Sequence, residues 1–142
     1  MRPGRVLSWL ALGFILILIS VGIAAAHHSF LLTVHQLMGG LQKAGSPDKK
    51  GFVLVDVRTA QEHFSGMIPG TDINIDYEVI TERHREIGAG FEDHIVVYCQ
   101  SGRRSNIAAE ALADLGYKHV YNVEGSMNAW MAAGFRVAPP GR

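Results

Sequence analysis

Hydrophobic positions along this chain fall into three patterns: one long unbroken run, several short unbroken runs, and stretches with helical spacing. The short unbroken runs are Phe52-Val53-Leu54-Val55 and Ile95-Val96-Val97-Tyr98 within His94 to Cys99; Phe30-Leu31-Leu32, Ile73 to Ile75 and His119 to Val123 read as further short strands, the last two interrupted by Asn74 and Asn122. Runs of this length without polar interruption suit strands covered on both faces. Between them lie helical patterns. Thr33 predicts an N-cap for a helix carrying Val34, Leu37, Met38 and Leu41. Thr59 and Glu62 have the S/T-x-x-E spacing of a capping box, which opens a short helix towards Phe64. Val79, Ile80 and Ile87 predict a modest helix within Tyr77 to Ile87. Ile107, Ala108, Ala111, Leu112 and Leu115 share one face of a helix over Ser105 to Leu115, with Gly116 as its stop. Ser126 to Ala133 predicts a last short helix, ended by Gly134. Gly45 to Gly51, holding Pro47, and Gly66 to Gly70, holding Pro69, read as turns. Strands alternating with helices imply right-handed crossovers and an α/β fold, a parallel sheet with helices on both faces. Ligands in such folds bind at the carboxyl ends of the strands.

The long run is Val6 to Ala26, twenty-one residues without a charge, preceded by Arg2 and Arg5 and ending in Ala24-Ala25-Ala26. The small residues fit a signal peptidase site, while the length also suffices to span a bilayer of about 20 helical residues. Residues 1–26 are therefore expected to be a signal peptide or an N-terminal membrane anchor, and residues 27–142 a single domain. Either way the two arginines hold the N-terminus in the cytoplasm and no charge follows until Lys43, so the domain is expected to be exported, to the periplasm or another extracytoplasmic space. It would be soluble after cleavage near Ala26, or anchored through residues 6–26.

The full chain has 142 residues, with 13 basic and 13 acidic side chains. That balance, without a basic run, argues against nucleic acid as a partner. Losing residues 1–26 would remove Arg2 and Arg5 and leave a net charge of about −2. A single cysteine excludes an intramolecular disulfide, a two-cysteine redox motif and a cysteine-rich zinc site. The seven histidines are His27, His28, His35, His63, His84, His94 and His119. Cleavage after Ala26 would expose His27 next to His28, a weak copper-binding pair at best, and no carboxylate or cysteine sits nearby at ligand spacing. No metal and no cofactor are expected. Glu82 to Glu86 reads as a solvated helix face.

The lone cysteine stands where chemistry is expected. The strand His94–Tyr98 delivers Cys99 to its carboxyl end, and Gln100, Ser101, Gly102, Arg103 and Arg104 follow before the next helix. A short loop entering a helix N-terminus aims several backbone N–H groups at one spot, and Gly102 permits a tight curve. With two arginines in the same loop, a thiolate is favoured and Cys99 is expected to be nucleophilic near neutral pH.

The segment Cys99-Gln100-Ser101-Gly102-Arg103-Arg104-Ser105 resembles the active-site loop of single-domain rhodaneses, the thiosulfate sulfurtransferase-like domains. Leu54 to Arg58 looks like that family's early strand ending in Asp-x-Arg, Gly66 to Gly70 like its Gly-His-Ile-Pro-Gly turn, and Tyr121 to Ser126 with Trp130 like its late strand, glycine turn and tryptophan. The four motifs occur in order over about residues 29 to 137. The resemblance implies a rhodanese-like fold with a sheet of about five strands. It implies that the Cys99 thiolate takes the outer sulfur of a small anionic donor such as thiosulfate, holds it as a persulfide, and passes it to cyanide, a thiol or a partner protein's thiol. Gln100, Ser101, Gly102, Arg103 and Arg104 would bind substrate, with Arg104 orienting an anionic donor and Arg103 either doing the same or simply solvated. Asp56 and Arg58 would support the site, a surface salt bridge being the alternative. Trp130 is expected in the core. Three positions depart from the family's pattern: Met67, Thr71 and Ser126 stand where histidine, alanine and a second glycine are common. The first two are expected to alter packing near the turn, and Ser126 the wall of the pocket.

Two rival functions share parts of this signature. A phosphatase or arsenate reductase loop is Cys-x5-Arg, which would need an arginine at position 105, where this chain has Ser105. A non-enzymatic sulfur carrier or persulfide sensor acting with a partner would use the same cysteine with little turnover of its own.

Overall fold

The computed structural model describes residues 30–46 and 49–139. The long apolar run, His27, His28 and Pro47 lie outside the described residues. Among the described residues, no helix is long and apolar enough to cross a membrane.

Five strands form one sheet: β1 (Phe30–Leu32), β2 (Val53–Asp56), β3 (Ile73–Asn74), β4 (His94–Tyr98) and β5 (His119–Val123), in the order β1-β5-β4-β2-β3. Every pairing is parallel. The two strands with the most continuous apolar runs, β2 and β4, are neighbours in the middle, Asp56 aligned with Tyr98. Five α-helices connect or flank the strands: α1 (Val34–Ala44), α2 (Ala60–Phe64), α3 (Ile80–Arg83), α4 (Arg103–Asp114) and α5 (Ser126–Ala132).

Because side chains alternate across a strand, the unbroken runs feed two cores. Val55, Val57, Ile95, Val97, Cys99 and Val120 face one way and pack with Ile80 of α3 and Ala108, Ala109 and Leu112 of α4. Leu54, Val96, Tyr98 and Val123 face the other way and meet Val34 and Leu37 of α1 and Met127 and Trp130 of α5. The expected helices on both faces are present, and Trp130 lies fully in the core.

Both sequence-read caps form. Thr33 and Gln36, and likewise Thr59 and Glu62, make reciprocal capping-box hydrogen bonds. Two helical expectations need correction. The stretch 77–87 is not one helix: α3 ends at Arg83 and His84–Ile87 is a 3-10 turn, closed by Gly88 at φ +72°. Only Ile80 and Ile87 are buried there, too few for a continuous amphipathic face. Helix α4 starts at Arg103 rather than Ser105. Arginines in a first turn oppose the helix dipole, so sequence alone favours a later start. An acidic partner from elsewhere in the fold offsets the charge of Arg104, as described below.

Candidate functional site

Cys99 follows the last residue of β4, and only three residues separate it from α4. Gly102, at φ +99°, turns the chain into that helix as its N-cap. A Cβ at this position would lie 3.3 Å from the Gly125 nitrogen and 3.6 Å from the Val123 carbonyl oxygen, so the loop can lie this close to β5 only with glycine. The loop is tied to the start of α5 by Met127 N–H donating to the Cys99 carbonyl and Asn128 N–H to the Gln100 carbonyl, at 3.1 and 2.9 Å. The Gln100 side chain donates to Asn128 Oδ1 at 2.7 Å.

The sulfur itself is buried, with Cys99 1% exposed. It is nonetheless aimed at donors. Gly102 N–H donates to Sγ at 3.1 Å, and the Ser105 hydroxyl lies 3.3 Å away. Burial alone would raise the thiol; the Ser105 hydroxyl and the amides of Ser105, Gly102 and Ser101 outweigh it and hold Cys99 below its ordinary value. Ser101 and Arg103 are exposed at the rim. The Arg103 guanidinium has no ion-pair partner among the described residues.

Arg104 points to a carboxylate. Its Nη1 and Nη2 donate to Glu62 Oε2 and Oε1 at 2.8 and 2.6 Å, a bidentate pair from α4 to α2. Glu62 also caps its own helix, accepting from the Thr59 amide and hydroxyl. Its carboxyl is held down to about 2, chiefly by Arg104 against an opposing burial effect. Glu62 in turn raises the Arg104 guanidinium, with the Cys99 sulfur and Asp76 adding attraction.

Asp56 and Arg58 are brought together, but not onto the sulfur. Asp56 is fully buried and Arg58 3% exposed, so this is no surface salt bridge. The Asp56 carboxylate accepts from the Arg58 amide, Nε and Nη2, the last at 2.6 Å, and from the Tyr98 hydroxyl at 3.1 Å. His63 Nδ1 lies 3.0 Å away. Arg58 Nη2 also donates to the Gly66 carbonyl at 2.7 Å. Asp56 shares the sheet face of Leu54 and Tyr98, whereas Cys99 shares the face of Val97. Contact with the site is thus indirect, through Tyr98 and through His63, whose helix carries Glu62.

The three departures find specific partners. Met67 pairs with Ala138 in an isolated antiparallel bridge. The Thr71 hydroxyl donates to the Ile68 carbonyl at 2.7 Å and lies 2.8 Å from the Tyr98 hydroxyl, so it joins the polar network around Asp56 rather than only altering packing. Ser126 is fully buried at φ +48°, a backbone conformation uncommon outside glycine. Its hydroxyl accepts from Cys99 N–H at 3.0 Å and donates to the Val123 carbonyl at 2.9 Å.

Sequence reasoning did not single out Glu62, Ser105, Asn122 or Asn128 as site residues. Ser105 stood inside the quoted loop and Glu62 inside the capping box. Their second contacts, and those of Asn122 and Asn128, come from elements far apart in sequence, for which no local pattern exists. No group of three or more histidine, cysteine, aspartate or glutamate side chains suited to a metal ion occurs among the described residues.

A family model described as a rhodanese-like domain matches residues 35–133. The chain is 36% identical over 93 residues to a sulfurtransferase of Allochromatium vinosum, covering 66% of this chain and 84% of that protein. It is 35% identical over 89 residues to thiosulfate sulfurtransferase GlpE of Pseudomonas syringae, covering 63% and 81%. Other curated relatives are longer than the matched region, which spans 64% of one from Schizosaccharomyces pombe. The crystal structure of a rhodanese-related protein from Thermoplasma volcanium superposes with a TM-score of 0.62 at 26% identity, over 78% of this chain and 97% of that one.

Proposed function

Because this chain belongs to the rhodanese-like domain family of sulfurtransferases, we propose that it moves sulfane sulfur through a persulfide on Cys99. The Cys99 thiolate attacks the outer sulfur of a donor such as thiosulfate. A new S–S bond forms at Cys99, the donor's S–S bond breaks, and sulfite leaves with the electron pair. A thiophilic acceptor, cyanide or a thiolate, then attacks the outer persulfide sulfur and returns the Cys99 thiolate; with cyanide the product is thiocyanate. The amides of Ser101, Gly102 and Ser105 stabilise the Cys99 thiolate with which the cycle begins and ends, with no metal or organic cofactor in the scheme.

The observation that carries this reading is the Cys99 sulfur seated against the Gly102 amide and the Ser105 hydroxyl at the end of β4. The loop supports sulfur rather than phosphoryl chemistry. Arg104 completes a Cys-x4-Arg spacing, and its guanidinium is held by Glu62 instead of being free to encircle a phosphate. The reading includes export, with residues 1–26 as signal or anchor.

Purified full-length protein should form thiocyanate from thiosulfate and cyanide, and the Cys99→Ser variant should not. Persulfide on Cys99 by mass spectrometry without thiocyanate turnover would instead make the protein a sulfur carrier. Phosphatase activity lost in Cys99→Ala would overturn both. Mass spectrometry of protein from membrane and soluble fractions reads the mature N-terminus and separates cleavage from anchoring.

A further inference from the structure

We propose that Asn122 is a positioning residue that competes with the Cys99 sulfur for the single proton of the Ser105 hydroxyl. Three acceptors surround that hydroxyl: Asn122 Oδ1 at 2.7 Å, Cys99 Sγ at 3.3 Å and Ser126 Oγ at 3.3 Å. A serine hydroxyl donates one hydrogen bond at a time. Ser126 Oγ already donates its own proton to the Val123 carbonyl and accepts from Cys99 N–H, so it holds its place without Ser105. Asn122 is oriented by its other end: Nδ2 donates to the Gly102 carbonyl at 3.2 Å, which turns Oδ1 towards Ser105.

The two ionisation states of Cys99 therefore need different networks. As a thiol, Cys99 donates to Ser105 Oγ, and Ser105 donates to Asn122; every group is satisfied. As a thiolate, the sulfur needs the Ser105 proton, and the hydroxyl must rotate away from Asn122. Asn122 is 4% exposed, so its carbonyl oxygen is then left without a donor in a buried setting, which is costly. Asn122 thereby opposes free thiolate. Once sulfur is loaded, the negative charge moves outward by one atom, the inner sulfur is neutral, and Ser105 returns to Asn122. The network thus favours the persulfide over the bare thiolate.

The proposal rests on Cys99 being the nucleophile assigned above, but its test needs only a titrating thiol. The charged group acting on the sulfur is Arg104, balanced by Glu62 with Asp76 nearby on the α3 side. From β5 and α5 the neighbours are the neutral Asn122 and Ser126. With one cysteine in the chain, the ultraviolet thiolate absorbance, referenced to Cys99→Ala, reports this site alone.

The experiment is a double-mutant cycle in the full chain, titrating wild type, Asn122→Leu, Ser105→Ala and the double variant. Asn122→Leu also frees the Gly102 carbonyl, an effect common to both backgrounds that cancels in the cycle. The expected result is a coupling in which Asn122→Leu moves the thiol midpoint lower by about one pH unit when Ser105 is present than when it is absent, the scale of one net hydrogen bond. Asn122→Asp, isosteric and a stronger acceptor, is the second variant and should give coupling of the opposite sign. Zero coupling in both cycles, or Asn122→Leu raising the midpoint more with Ser105 present, overturns the proposal. Neither result touches the sulfurtransferase reading, which the thiocyanate assay tests separately.

Discussion

Arg104 and Glu62, forty-two positions apart, form a bidentate ion pair that joins the first turn of α4 to the capping box of α2. The loop arginine that completes the Cys-x4-Arg spacing is thus already paired with a carboxylate, 2.6 Å away. An anion entering the site must share Arg104 with a carboxylate, and the exposed Arg103 is left as the cation at the rim without an ion-pair partner among the described residues.

Arg104→Ala should reduce kcat/KM for thiosulfate by one to two powers of ten, corresponding to a charge-assisted contact of about 1.5–3 kcal/mol. Steady-state thiocyanate formation measures it, and full activity in this variant would remove Arg104 from the donor site.

Glu62→Gln keeps a capping-box side chain and deletes only the charge, so it should lower KM for thiosulfate several-fold at low salt, with the gain fading as salt screens it. A KM that rises instead would mean Glu62 chiefly places the guanidinium.

Acid stability offers a second reading of the same pair. The Glu62 carboxyl lies at about 2 in the fold against an ordinary 4.5, a depressed value, so its contribution to stability is complete above the ordinary range and is lost as pH falls towards 2. The melting-temperature difference between wild type and Glu62→Gln should shrink steadily across that interval; a constant difference would show the pair contributes through something other than ionisation.

The thiol of Cys99 is held below its ordinary value of 9.0, so thiolate forms with rising pH through a midpoint under that figure. Alkylation rate against pH should show that midpoint, and Ser105→Ala should move it upward, because the side-chain hydroxyl is the foremost group lowering it. An unmoved midpoint would leave the backbone amides as the whole cause.

Asp56→Ala should destabilise the fold by about 3–5 kcal/mol, because it strands the buried Arg58 guanidinium and removes an acceptor from the Tyr98 hydroxyl. Denaturant unfolding gives the figure. A cost below about 1 kcal/mol, the scale of an exposed pair, would show that Arg58 finds water when released.

Much of the architecture was legible in the sequence because it is written in local chemistry. Unbroken apolar runs marked the two central strands, Thr33 and Thr59 marked helix starts through contacts three residues away, and Cys99 was placed at a strand end by the Ile95–Tyr98 run alone. Local signals failed where local forces were weak or opposed. The stretch 77–87 broke into α3 and a 3-10 turn because only Ile80 and Ile87 bury there, and α4 began two residues early because Glu62, from another helix, offsets Arg104 in its first turn.

Local chemistry in the chain is enough to set the order of elements, the position of Cys99 at the end of β4 and the curve of amides around it, since each depends on neighbours a few bonds away. How charge and protons are shared there depends on folding. Glu62 on Arg104, Asn122 and Ser126 on Ser105, and Tyr98 on Asp56 are pairings between distant segments. They exist because parallel strands bring their carboxyl ends to one side of the sheet, and strand alternation then sends Cys99 to one core and Asp56 to the other.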